Sequence, residues 1–184
     1  MTGVQTCALP ICREWQISTV QVDFLQPERF HLEYTDSTGK AQKPFMVHRA
    51  PLGSRERIMA ILIEHYMGAF PLWLSPVQVK ILTIDESLID YAKDVEKEIK
   101  SQAAEFDLNI RIEIDIRKEN LQKKIADAAA MKIPYILVVG KREQEAGKVA
   151  VRVRGRSGNS IIESREFAEK LIKEIRNRDL ELEI

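Results

Sequence analysis

The sequence predicts an α/β fold in two parts: a piece of antiparallel sheet followed by a helix, then a β-α-β-α-β-β-α unit with a mixed, mainly parallel sheet. Three observations carry that reading. Val20, Val22 and Phe24 alternate with Gln21 and Asp23, the period-two pattern of a half-buried strand. From Val77 onward, strand-like runs alternate with helix-period runs, the order that builds parallel sheets covered by helices. Tyr135 to Val139 is apolar throughout and stops at Gly140, as a strand buried on both faces does.

Taken in order, residues 1–12 (M-T-G-V-Q-T-C-A-L-P-I-C) show no helical or strand period and no signal-peptide design. They are expected to be a non-native leader resembling adapter read-through, without ordered register against the body. After the strand at Val20, the runs His31 to Tyr34 and Phe45 to Arg49 read as two more strands. The D-S-T-G-K of Asp36 to Lys40 supplies the turn chemistry between them. Ser54 suits a helix N-cap and Glu56 the first turn, where a carboxylate meets the positive end of the dipole. Ile58, Met59, Ile61, Leu62 and Ile63 leave that helix apolar on nearly every side, which predicts a buried helix ended at Gly68.

Phe70 to Pro76 is a linker. Beyond it, Val77 to Ile84 reads as a strand, and Leu88, Tyr91, Ala92, Val95 and Ile99 mark one face of a helix. Ile110, Ile112 and Ile114 alternate as a second strand, and Leu121, Ile125, Ala128 and Ala129 give a second helix. Tyr135 to Val139 is followed by a short turn around Glu145 to Gly147, then by a strand over Lys148 to Arg154. Ser164 reads as the cap of a last helix whose inner face is Phe167, Ala168, Leu171 and Ile175. The loop Gly155 to Ser160 reads as mobile. The domain boundaries expected are 1–12, 13–70 and 71–184.

Composition excludes more than it assigns. The chain has 184 residues, 45% hydrophobic and 30% charged, with Lys and Arg equal in number to Asp and Glu at 28 each. No net field therefore points to nucleic acid or membrane. Between Ile110 and Ser160, however, 12 basic residues face 6 acidic ones, a local surplus that suits RNA. No apolar run reaches membrane-spanning length. Cys7 and Cys12 stand together near the start with four residues between them, which is neither a zinc spacing nor a disulfide framework and fits a reducing cytoplasm.

A polar knot precedes the first helix: His48, Arg49, Gly53, Ser54, Arg55, Glu56 and Arg57. An arginine in a first helical turn is either paired to a carboxylate for structure or held out to a phosphate or carboxylate ligand.

Four stretches, R-E-W-Q-x-x-T-V-Q-V-D-F, V-H-R-A-x-L-G-S-x-E-R, F-P-L-W-L-S-P-V-Q-V and I-P-Y-I-L-V-V-G, resemble the threonyl-tRNA synthetase family from about Arg13 to the C-terminus. G-S-x-E-R is similar to the third motif of class II synthetases. The resemblance implies the end of a class II catalytic domain with its antiparallel sheet over 13–70, then an anticodon-binding domain over 71–184. It implies a cytoplasmic, homodimeric ligase that activates threonine with ATP and magnesium and passes it to threonine tRNA. His48 matches the third ligand of the family's zinc ion, whose other two ligands belong to sequence before Arg13. Arg57 matches the catalytic arginine on the ATP phosphates, Gln16 a position near the adenylate, and Gln21 and Ser54 positions near the threonine.

Glu143 and Arg152 match anticodon-reading positions. Lys118 matches a third, with lysine in place of the usual asparagine and so suited to a phosphate. Arg154 and Arg156 are expected to meet RNA backbone or solvent. Alternation would put Gln16 and Gln21 on opposite faces of a regular strand, so both can face one cleft only if the strand kinks between them. Ile17-Ser18 replaces the family's usual Cys-Gly there, and Arg55 replaces an apolar residue. The first and second class II motifs are missing, so the chain alone is expected not to catalyse. The alternatives are another class II synthetase of prolyl or histidyl type, and a non-catalytic RNA-binding accessory protein with the same domains.

Overall fold

The alternation around Val20 builds the centre of a three-stranded antiparallel sheet, ordered β1 (Gly3–Ala8), β2 (Glu14–Asp23) and β5 (Met46–Ala50). This is a computed structural model that describes residues 3–8 and 14–184. The chain divides between Met67 and Gly68 into two units.

Strand β1 corrects the expectation that residues 1–12 lack register. Gly3 to Ala8 pairs antiparallel with Val20 to Glu14, while Leu9 and Ile11 lie outside the described residues. The physical reason is that the edge of β2 offers unpaired N–H and C=O groups. An extended segment can complete that ladder through its main chain, whatever its side-chain pattern.

The register also carries the expected kink. Gln5 faces Ser18 and Thr6 faces Gln16, so Ile17 is one residue too many, a β-bulge. One extra residue reverses the alternation and returns Gln16 and Gln21 to one face of β2, where both are exposed.

Phe24 does not continue the strand. Asp23 Oδ1 accepts from the N–H groups of Leu25 (2.8 Å) and Gln26 (3.0 Å) and starts a short helix, α1 (Leu25–Arg29), which no apolar period announces. Of the run His31 to Tyr34, only Tyr34 pairs. The hairpin is two residues a side, β3 (Tyr34–Thr35) and β4 (Ala41–Gln42). Asp36 organises its turn by accepting from Thr38 N and Oγ1 and from Lys40 N, with Gly39 at φ +80°. Those bonds, the Thr38 hydroxyl first, push the Asp36 carboxyl down to about 2.

Helix α2 (Arg55–Tyr66) starts as expected, with Ser54 Oγ accepting from Arg57 N at 3.2 Å. It ends through Met67 at φ 49° and Gly68 at φ 77°. It is not buried, which corrects the sequence reading. Ile61 is the one residue of α2 fully inside, whereas Met59 is 59% and Ile63 49% exposed. An all-apolar helix needs neighbours on several sides, and the described residues of this unit provide a three-stranded sheet and no second layer.

The second unit holds a five-stranded sheet ordered β10-β9-β8-β6-β7. Strand β6 (Val79–Thr83) is central and runs parallel to β7 (Ile112–Asp115) and β8 (Tyr135–Val139), and β9 (Lys148–Val153) runs antiparallel to β8. Strand β10 (Ser160–Glu163) pairs antiparallel with β9, where the sequence suggested only the end of a mobile loop. Helices α3 (Ile89–Ala104) and α6 (Ser164–Asn177) cover one face through Val95, Ile99, Phe167 and Leu171, packed on Ile81, Leu137 and Val151. Helix α4 (Leu121–Ala130) covers the other through Ala128, packed on Leu82 and Ile136.

Two details differ from the sequence reading. The turn before β9 is a helix of six residues, α5 (Lys141–Ala146), closed by Gly147 at φ 65°. Its K-R-E-Q-E-A favours helix but has no apolar period to reveal it. Ser164 does not cap α6. It lies within the helix, and its hydroxyl meets the Glu98 carboxylate on α3.

Under α6, Tyr135 meets Phe167 edge-on at 5.7 Å and donates its hydroxyl to Glu174 Oε2 at 2.6 Å. Glu174 is 3% exposed and its Oε1 has no hydrogen-bond partner among the described residues, so burial pushes the carboxyl above its ordinary 4.5. A raised carboxyl keeps its proton longer in the folded chain than in the unfolded one, so it costs stability as pH climbs from the unfolded value. Glu174→Gln removes that titration. In denaturant unfolding, the stability difference should move in favour of the Gln variant as pH rises from about 4 to 7. A difference that stays flat with pH would show that Glu174 titrates as it does in the unfolded chain.

Candidate functional site

Two sites follow from the residues singled out, one in each unit. In the first unit, Gln21 and His48 are direct cross-strand partners on β2 and β5, and they line one groove with Asp23 and Gln26. Asp23 serves two structures at once. Its Oδ1 starts α1, and its Oδ2 lies 3.4 Å from His48 Nε2. The Gln26 N–H, above all, holds the Asp23 carboxyl below its usual range.

Arg57 is not in the lining of that groove. Its Nη1 donates to the Gln16 carbonyl at 2.9 Å, next to the bulged Ile17. Gly53, at φ +66°, lets this happen, since a Cβ there would come 3.2 Å from the Ile17 carbonyl oxygen and 3.7 Å from Arg57 Cδ. The structure therefore joins Gln21 to His48 and Arg57 to Gln16, with Ser54 spent on the helix cap.

The ligands for zinc are a separate question. Among the described residues no three metal-ligating side chains come together. A lone imidazole beside a carboxylate that already accepts two N–H groups does not satisfy an ion that takes three or four protein ligands. These residues do not fit zinc on their own.

In the second unit, most cations are already committed to the protein. Arg111 donates to the carbonyls of Trp73, Ser75 and Pro76. Arg154 donates to those of Ala69, Phe70 and Lys132. Arg156 holds the carbonyls of Leu182 and Ile184. The expectation of RNA backbone contacts or simple exposure is thereby corrected for Arg154, which is half-buried with its donors on chain carbonyls, whereas Arg156 is exposed as expected while it also donates to the chain. Arg117 is bound to Asp115 (2.6 Å) and Asp127 (2.8 Å), and Lys118 to Glu86 (2.9 Å).

Arg152 and Glu143 differ. Both are half-buried, and neither guanidinium nor carboxylate has a hydrogen bond or ion pair among the described residues. Arg152 sits on β9 opposite Ile136, on the face turned away from the core of Val149, Val151 and Val153. Glu143 lies in α5, beyond the far end of β8. Arg152 and the end of β8 at Val139 are thus about 10 Å apart along the strand. Sequence reasoning named these two and missed Tyr91 as a polar residue. Its hydroxyl lies 2.8 Å from the Lys148 carbonyl oxygen and 3.4 Å from that of Glu143. Burial pushes this phenol up, so it remains a donor at neutral pH.

Comparison with known proteins bears on both units. Residues 78–181 match the family described as anticodon binding domain. Residues 4–66 match the tRNA synthetase class II core domain (G, H, P, S and T), a match that begins inside the stretch set aside as a leader. The chain is 49% identical over 168 residues to a threonine–tRNA ligase of Clostridium botulinum, covering 91% of this chain and 26% of that protein. It is 48% identical to the threonine–tRNA ligase catalytic subunit of Sulfurisphaera tokodaii, covering 91% and 30%. The chain thus spans less than a third of the length of these curated relatives.

Among solved structures, the RNA binding domain of threonyl-tRNA synthetase from Cryptosporidium parvum superposes with a TM-score of 0.77 at 31% identity, covering 94% of this chain and 42% of that one. Prolyl-tRNA synthetase from the same organism superposes at 0.65 with 23% identity, covering 90% and 35%, which shows a shared fold. No helix among the described residues is long and apolar enough to cross a membrane.

The metal question has a direct test. Dialysed against zinc and then against buffer, the purified chain should keep well under one zinc per molecule by atomic absorption, because no third ligand joins His48 and Asp23 among the described residues. Stoichiometric retention that His48→Ala abolishes would show a ligand set that the described residues do not contain.

Proposed function

This chain belongs to the anticodon binding domain family, matched over residues 78–181, and we propose that it is part of a threonine–tRNA ligase whose second unit binds the anticodon arm of threonine tRNA. One observation carries the reading. In a unit where protein carbonyls and carboxylates have taken most of the arginines, the half-buried Arg152 and Glu143 stay open. A guanidinium offers paired donors to the acceptors of a base edge, and a carboxylate accepts from amino or ring N–H groups. The two lie at different levels of the sheet, so each meets its own base. Lys118 is tied to Glu86 and exposed, which suits a phosphate contact that water and salt can exchange.

In the whole ligase the first unit would serve the class II chemistry of threonine activation. Arg57 would offer the donors that the Gln16 carbonyl leaves free to the phosphates of ATP, which enters with magnesium. Gln16 would lie beside the adenylate. Gln21, with Ser54 nearby, would line the place of the threonine. His48 would be one of three ligands to a zinc that receives the threonine amino and hydroxyl groups, a device that rejects valine because it lacks the hydroxyl. The domain division (a catalytic end over 13–70 and an anticodon-binding domain over 71–184), the homodimer and the cytoplasmic location belong to the same proposal.

The test uses the purified chain and labelled RNA hairpins. A hairpin with the threonine anticodon loop should bind more tightly than one with a changed anticodon, and binding should weaken as salt rises because phosphate contacts release counterions. Arg152→Ala should cost about 1–3 kcal/mol toward the cognate hairpin and erase part of the preference. Threonine-dependent pyrophosphate exchange should be absent. Equal affinity for the two hairpins would overturn the reading of Arg152 and Glu143, and exchange activity would overturn the expectation that the chain alone is inactive.

A further inference from the structure

Helix α5 carries Glu143, yet it has little of its own to hold it in place. It is six residues long, and its N-cap is Gly140, which has no side chain to accept a helix N–H. Glu143 occupies its first turn, and Lys148 follows immediately after the closing residue, Gly147. The fastening comes from α3. The Tyr91 ring packs against the core shared by α3 and α6, and its hydroxyl reaches out between the two ends of α5. One O–H serves two carbonyl oxygens, that of Lys148 at 2.8 Å and that of Glu143 at 3.4 Å.

The side chain of Glu143 is set from below as well. A Cβ on Gly140 would fall 2.6 Å from Glu143 Oε2 and 2.9 Å from Ile84 Cδ1, so the carboxylate shares with the Ile84 side chain the space that any other residue at 140 would fill. Gly140 itself has φ −126°, a value open to every residue, so its bareness makes room for the Glu143 carboxylate and the Ile84 side chain and is not needed for the turn.

We infer that Tyr91 is a positioning residue for anticodon recognition: its hydroxyl holds the main chain of α5 so that the Glu143 carboxylate, seated over Gly140, faces its base in one fixed orientation. The inference rests on the reading of Glu143 as a base contact. A preformed acceptor loses less freedom on binding than a mobile one, and the gain appears in discrimination between bases. Tyr91 never touches RNA and adds no charge, so its action leaves the counterion count alone.

A double-mutant cycle with the same hairpins tests this. Tyr91→Phe keeps the ring and removes the hydroxyl, and it should lower affinity for the threonine anticodon hairpin by about tenfold, reduce the preference over the changed anticodon, and leave the salt dependence unaltered. Glu143→Gln should lower affinity similarly. In the Glu143→Gln background, Tyr91→Phe should make no further difference, which a merely structural role of Tyr91 would not produce. Gly140→Ala disturbs the carboxylate by a separate route and should reproduce the Tyr91→Phe result, so the question stays open to test even if Tyr91→Phe unfolds.

Equal losses from Tyr91→Phe in both backgrounds, or no loss in either, would overturn the inference. If the unsubstituted chain does not discriminate between hairpins, or Glu143→Gln changes nothing, the reading of Glu143 itself has failed.

Discussion

Backbone carbonyl oxygens that have no ladder to join decide much of this molecule. Residues 69–76, at the start of the second unit, form one short 3₁₀ turn, Leu72 to Leu74, and otherwise irregular backbone. A buried carbonyl left unpaired costs about as much as a lost hydrogen bond, so each must find a donor. Ser75 and the turn's own N–H groups serve Pro71 and Leu72. Gln78 Nε2 serves Leu72 again, while its Oε1 accepts from Arg111 N. The rest falls to arginine, whose planar fork can reach several carbonyls at once. Arg111 and Arg154 between them take Ala69, Phe70, Trp73, Ser75 and Pro76.

That demand separates two uses of the same residue type. A basic surplus in a sequence reads as an RNA surface, but a guanidinium fixed on chain carbonyls has spent its donors. Arg111, Arg117, Arg154 and Arg156 all belong to the surplus between Ile110 and Ser160, and all are bound to the protein. Recognition therefore cannot be a matter of net charge in this unit. On the proposed reading it comes down to the few polar groups that the fold half-buries and leaves open, and among the described residues Arg152 and Glu143 are such groups. Net charge governs how RNA approaches, and open half-buried groups govern which RNA stays.

The sequence was most legible where burial is two-sided or strictly one-sided. Strands β6 and β8 and helices α3, α4 and α6 announce themselves, because Ile81, Leu137, Val95 and Leu171 must repeat with the period of their element to stay inside. The short elements were silent. Helices α1 and α5 have no fully apolar face, and β1 and β10 are edge strands fixed by main-chain pairing. Helix α2 misled in the opposite direction, since apolar residues all round predict burial only where neighbours exist. The site was legible in its residue types but not in its contacts. Parity required a kink between Gln16 and Gln21 if both were to face one cleft, as the resemblance implied, and the bulge at Ile17 is that kink. No pattern could show that Arg57 would settle on the Gln16 carbonyl, because the two are 41 residues apart in sequence.

The weakest sequence signal and the sharpest geometry meet at α5. A stretch with no apolar period cannot hold itself in place by burial, so its orientation depends on groups supplied from elsewhere. Here they are a phenol from α3 and a bare glycine, which the sequence marks as one face of a helix and the end of a strand and not as parts of a site. This division has a physical logic. A residue that reads a base has to be open to solvent in the free protein, so it cannot also be locked by its own packing. Rigidity must come from neighbours that are anchored by packing, as the partly buried Tyr91 ring is against the α3–α6 core. In the proposed reading, precision at a half-buried carboxylate is borrowed from the Tyr91 ring's packing, through a hydrogen bond to the main chain that leaves the carboxylate's oxygens free for RNA.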